Sequence, residues 1–190
     1  MRASLKFALT AFTVIAPVLL LVIGCNKATQ DPSSSENQIT VVAVTPNTAC
    51  VDVDGTILQN GSGNQVVYYD TVQKLTFQSI VRGNSTTQGS AWNNVTFDSI
   101  DISYAMNDGG PVPPPWVDKP GPITVPANGT TDASLVTVPV ADIGPGTAFD
   151  TAGRVGSIFM VFRGKDAANQ PAQTSVRIPL GTYTACQQGQ

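Results

Sequence analysis

Four kinds of side chain in this sequence could do chemistry or recognition. The first is a close carboxylate pair, Asp52 and Asp54, in Asp52-Val53-Asp54-Gly55-Thr56-Ile57. An aspartate can attack an electrophile directly, and a neighbouring one can move the proton. The second is three cysteines, Cys25, Cys50 and Cys186. The third is two tryptophans, Trp92 and Trp116. The fourth is the run Pro111-Val112-Pro113-Pro114-Pro115, which leads into Trp116. Histidine is absent from the whole chain. Ser-His-Asp and Cys-His nucleophiles, His acid–base chemistry and the commonest transition-metal ligand are therefore excluded.

The Asp52–Ile57 hexapeptide resembles the first motif of haloacid-dehalogenase-type phosphatases. That resemblance implies Asp52 as nucleophile and Asp54 as acid–base, without need of His. It also demands parallel strands with crossover helices and a downstream acidic pair for Mg²⁺. No amphipathic helical pattern occurs after Cys25, and Asp98 and Asp101 sit in a strand pattern at the wrong spacing. The preferred reading is a strand ending in an Asp-Gly turn. Asp52 and Asp54 are also candidate calcium ligands with loop carbonyls, although an EF-hand's further oxygen ligand and its twelfth-position Glu are missing. No resident metal and no cofactor is expected.

Consecutive prolines favour the polyproline II conformation, which suits docking to a partner. Pro113, Pro114, Pro115 and Trp116 are therefore a candidate partner loop. The preferred alternative has Trp116 folding back over the open end of the core while the prolines stiffen a long connection. Trp92 is a candidate for stacking on a sugar beside Asn93 and Asn94. Its alternative is a strand-entry residue covering the core.

The amino terminus carries the most specific signal. Arg2 and Lys6 precede a nearly unbroken uncharged apolar run, Phe7 to Ile23. That layout is a secretory signal, and the run is short for a spanning helix, which needs about 20 apolar residues. It ends in Val22-Ile23-Gly24-Cys25, which resembles the lipobox of bacterial lipoproteins. The resemblance implies cleavage before Cys25, diacylglycerol on its sulfur and acylation of the new amino terminus. Two or more acyl chains anchor stably, at roughly 0.8 kcal/mol per buried methylene. Asn26 stands where inner-membrane lipoproteins carry Asp, which implies the outer membrane, on either face. Residues 1–24 are thus read as signal peptide. Residues 25–37 follow as lipidated Cys and disordered tether, since Lys27 to Asn37 is polar without periodicity.

Residues 38–190 form one domain. Without Arg2 and Lys6, eight basic residues face thirteen acidic ones, a net charge of −5. With no Lys/Arg cluster, nucleic acid is excluded as a partner. Val and Thr number nineteen each after Cys25, whereas Leu occurs there four times and Glu once. Branched side chains of this kind favour strands, and scattered Gly and Pro break helices. With Cys25 assigned to lipid, Cys50 and Cys186 remain as a pair in an oxidising compartment. Bridging them would close a loop of about 135 residues, which stabilises by roughly 5 kcal/mol. Two free thiols are the alternative.

Nine strands follow from the patterning: 38–44, 51–58, 66–69, 74–81, 95–106, 123–125, 135–140, 157–162 and 174–180. The first is apolar nearly throughout and should be covered on both faces. Side-chain parity changes near Asp98-Ser99, which predicts a β-bulge. Val136, Val138 and Val140 should face inward, as should Val176, Ile178 and Leu180. The segment Phe162 to Asn169, followed by Val176-Arg177-Ile178, resembles the penultimate hairpin of bacterial immunoglobulin-like domains, although a Gly before Asn169 is missing. The expected fold is an all-β, immunoglobulin-like antiparallel sandwich of about eight or nine strands. The expected function is a non-enzymatic binding, adhesion or accessory subunit of the cell envelope, anchored to the membrane, with an envelope protein or glycan as partner. A carbohydrate-binding module using an exposed Trp is the second reading, and the phosphatase is a remote third.

Overall fold

A computed structural model of the chain describes residues 37–60, 63–82 and 93–186. Its strands follow from the branched, alternating segments. They are β1 (Asn37–Thr45), β2 (Ala49–Asp52), β3 (Thr56–Asn60), β4 (Gly63–Val67), β5 (Thr71–Val81) and β6 (Val95–Met106). After them come β7 (Trp116–Asp118), β8 (Ile123–Val125), β9 (Thr130–Val138), β10 (Val155–Asp166) and β11 (Pro171–Tyr183). A 3-10 turn covers Val140–Asp142. Eleven strands replace the eight or nine expected. The 51–58 segment breaks into β2 and β3, and Trp116–Asp118 adds a strand that the prolines masked.

Two sheets carry the core. One has the order β1-β5-β9, and the other β2-β11-β10-β6-β7, with β8 also pairing β6. All pairs are antiparallel except β2 with β11. The chain crosses between sheets at 46–48, just after a cis Thr45–Pro46 peptide. This is an all-β sandwich whose strand order is the immunoglobulin-like one. The β3–β4 hairpin stands apart as a two-stranded sheet.

Phe77 of β5 meets Phe162 of β10 edge-on at 4.9 Å and Phe97 of β6 at 5.8 Å. All three rings are fully buried. They pin one sheet to the other through the edge-to-face geometry that aromatic pairs prefer. Around them Leu75, Ile100, Ile102, Ile158, Met160 and Ile178 close the layer.

The expected bulge is present. Arg163 pairs with Ser99 and Gly164 with Phe97, so Asp98 is the unpaired residue. Val95 and Phe97 before it, and Ile100, Ile102, Tyr104 and Met106 after it, all face the core. At the bulge the β6 backbone comes so close that a Cβ on Gly164 would run into the Thr96 carbonyl oxygen and the Phe97 Cα.

Two inward assignments change. β1 is an edge strand with a shift between Val41 and Ala43, and only Ile39 is buried on it, while Val42 is exposed. In β9, Leu135, Thr137 and Val138 are buried, whereas Val136 is half-covered and Val140 is exposed. Thr137 tolerates burial because its hydroxyl donates to the Thr71 carbonyl at 3.1 Å. On β11, Ile178 and Leu180 face inward as expected.

Truncating the ring that both other phenylalanines touch should be costly. Phe77→Ala is expected to lower unfolding free energy by about 3–5 kcal/mol in chemical denaturation.

Candidate functional site

A concave surface lies at one pole of the sandwich. There the 45–48 crossover, the 67–73 segment entering β5 and the end of β11 converge. They enclose a groove of about 940 Å³, at the upper end of the range typical of small-ligand sites. Its sequence-predicted members are Cys50, Cys186 and Asp52.

Cys50 and Cys186 are bonded, with Cα atoms 5.8 Å apart. The bridge lies between β2 and the residues just after β11. It therefore fastens the second strand, rather than the first, to the last. The parallel register sets Gly181 opposite Cys50 and Tyr183 opposite Asp52, so the chain turns back after Tyr183 to bring Cys186 to Cys50.

Asp52 ends β2, and its carboxylate accepts the Gly55 N–H at 3.0 Å, with Gly55 at φ +70°. This is the Asp-Gly turn of the preferred sequence reading, with a side-chain oxygen capping the reversal. Asp54 is exposed. Among the described residues no three His, Cys, Asp or Glu side chains are grouped to hold a metal. The parallel, helix-flanked scaffold of a haloacid-dehalogenase-type phosphatase is replaced by a sandwich, so the motif resemblance goes no further than six residues.

Three tyrosines line the groove, and none was singled out in the sequence. The Tyr68 ring lies over Gly144, where a Cβ would meet it at 2.9 Å. The Tyr183 ring lies back along β11 over Gly181, where a Cβ would meet it at 2.5 Å. Tyr69 is 59 % exposed and Tyr183 45 %. Asp70 accepts the Val140 N–H at 2.7 Å. Gln73 is 1 % exposed, and neither its amide oxygen nor its amide nitrogen has a hydrogen-bond partner. Its signal was available: the inward parity of Leu75 and Phe77, carried back one step, lands on a glutamine.

The proline-rich loop is held at both ends. The Arg154 guanidinium donates to the Asp108 carboxylate at 2.8 and 3.2 Å, to the Ala148 carbonyl at 2.8 Å and to the Pro111 carbonyl at 2.9 Å. Pro113 is buried, while Pro114 and Pro115 are exposed. Trp116 is partly buried against the core, and its Nε1–H donates to the Tyr104 hydroxyl at 3.0 Å. That hydroxyl donates to the Thr137 carbonyl at 2.7 Å. Burial pushes the Tyr104 phenol up to about 12, so it stays a donor at any physiological pH. Trp116 thus folds back over the core. Cys25 and Trp92 lie outside the described residues.

No family model matches the chain, and no curated protein matches it. Among solved structures, an X-ray structure of a Northeast Structural Genomics Consortium target aligns with it at 12 % identity. The alignment covers 83 % of this chain and 95 % of that one, with a TM-score of 0.40.

Two measurements probe this region. Cys50→Ser with Cys186→Ser is expected to lower unfolding free energy by roughly 5 kcal/mol, read by denaturant titration against the oxidised parent. Separately, hydrogen bonds from Arg154, and then from the Gly110 N–H, hold the Asp108 carboxyl down at about 2. A depressed acid stabilises the fold above its unfolded value near 4 and loses that contribution as pH falls through about 2. Melting temperature should therefore drop over that window, and less steeply in Asp108→Asn.

Proposed function

We propose that this chain is a cell-envelope lipoprotein, held at the outer membrane by acyl chains on Cys25, that works by binding a partner of the envelope. The observation that carries the reading is Val22-Ile23-Gly24-Cys25 at the end of an uncharged apolar run behind Arg2 and Lys6. The Cys50–Cys186 bond supports it, because such bonds persist in oxidising compartments outside the cytoplasm. The absence of His from the whole sequence favours binding over the commonest acid–base chemistries.

An envelope protein and a glycan are the two partner classes. Trp116 contributes to neither as a free anchor, since its ring packs on the core and its N–H is engaged by Tyr104.

The test is chemical. The full chain, expressed in a bacterial host and purified from membranes, should yield an amino-terminal fragment beginning at residue 25 and carrying acyl mass. Cys25→Ser should lose that mass and leave the membrane fraction. An unmodified terminus upstream of Cys25 would refute the proposal.

A further inference from the structure

We infer that the polar groove beside the Cys50–Cys186 bond is a binding site for an uncharged, hydroxyl-rich saccharide. The inference rests on reading the chain as a binding protein; it does not depend on the lipid anchor.

The first observation is Gln73. A buried amide without partners is costly, and interiors rarely leave one so. Its neighbours on the same face of β5, Leu75 and Phe77, are apolar and fully buried. An apolar residue at 73 would continue that row. Gln73 instead borders the groove, and its amide, closed off from solvent beneath the groove wall, has two donor hydrogens and one acceptor oxygen unused. Ser79 Oγ is also buried without a partner, but it does not line this groove.

The second observation is the composition of the walls. Tyr68, Tyr69 and Tyr183 supply aromatic surface. Gly144 and Gly181 let two of those rings lie flat on the backbone, and Tyr69 and Tyr183 keep much of their surface open. Asp52 and Asp70 each use one carboxylate oxygen on a backbone N–H and have a second oxygen that no hydrogen bond in the structure occupies. Among the described residues no Lys or Arg lines the groove.

These features select a ligand class. Phosphates and carboxylates find no cation and two aspartates, so they are disfavoured. A purely apolar ligand would leave the carboxylates and the amide desolvated and unpaired, which is costly. A sugar ring meets every requirement. Its C–H faces pack on tyrosine, its hydroxyls donate to the aspartates, and rotation of the buried Gln73 side chain into the groove lets its amide both donate and accept. A divalent cation is less well served, because among the described residues the two aspartates are the only acids at the site.

The experiment uses the full chain, purified in detergent, on an array of neutral oligosaccharides, with heparin and spermine as charged probes. A neutral oligosaccharide should bind, and the best one is then titrated by calorimetry. Tyr69→Ala and Tyr183→Ala should each weaken it about tenfold or more, as anchors do. Tyr69 is too exposed for its loss to disturb folding. Gln73→Met should raise the melting temperature by removing the orphaned amide, and should weaken binding by at least tenfold. An array on which no neutral saccharide binds, preferential capture of heparin or spermine, or parental affinity in all three variants would overturn the inference. A flat array from protein with confirmed acyl mass on Cys25 overturns the groove assignment alone. Missing acyl mass with tyrosine-dependent sugar binding overturns the anchor alone.

Discussion

A four-residue parallel edge strand has little to hold it. β2 shares only the register from Ala49 to Asp52 with β11, and its partner strand ends at Tyr183. Parallel pairing is also slightly weaker per residue than antiparallel pairing. The Cys50–Cys186 bond fixes this pair, and with it the point where the chain leaves one sheet and joins the other. Ala49, Val51 and Val53 are buried on the core side of that segment, so a loosened β2 would expose core. The groove depends on the same constraint. Its walls come from the crossover before β2, the turn after it and the residues following β11. Stability and site are thus coupled through one covalent link.

The C-terminal end of β6, at this same pole, is held in a different way. Arg154 is covered to 9 % side-chain exposure while its partner Asp108 remains 47 % exposed. A bare surface ion pair would contribute little. Here the guanidinium also takes two carbonyls, and planar donors in a fixed fork suit that multiple duty. The result ties Pro111, the turn after β6 and the loop before β10 to one side chain. Together with the Trp116–Tyr104–Thr137 chain, it turns a proline-rich connection into a docked strap. Val112, Pro114 and Pro115 stay on its exposed side.

These contrasts explain what could be read from residues alone. β6 was readable because its bulge leaves a visible mark: the parity of apolar residues flips across Asp98. β8 was readable because Ile123 and Val125 are isolated between breakers. The disulfide was readable from arithmetic, once one of three cysteines was assigned elsewhere. β9 was misread because a buried Thr137 looks polar until its hydroxyl is seen bonded to Thr71. β1 was misread because an apolar run fits both a central strand and an edge strand that leaves Val42 in solvent. The groove was unreadable for a deeper reason. Tyr68, Tyr69, Gln73 and Tyr183 are brought together by a sheet-switching crossover, and no local pattern encodes that meeting.

The topology also separates the two ends of the domain. β1 starts at Asn37, which pairs with Val81, while Thr45 pairs with Lys74 near the groove. The entry of the chain and the groove therefore lie at opposite ends of β5, an eleven-residue strand that spans roughly 35 Å at 3.3 Å per residue. In the proposed lipoprotein the anchor joins at the Asn37 end. The groove thus opens at the pole remote from Asn37. The β3–β4 hairpin stands at that same remote pole, with Ile57, Leu58 and Val66 exposed and Tyr68 packed down between Gly55 and Gly144. A two-stranded ribbon is marginal by itself, so its position depends on the Tyr68 ring. That ring is also a wall of the groove, which makes the hairpin's hold on the sandwich and the shape of the site one and the same contact.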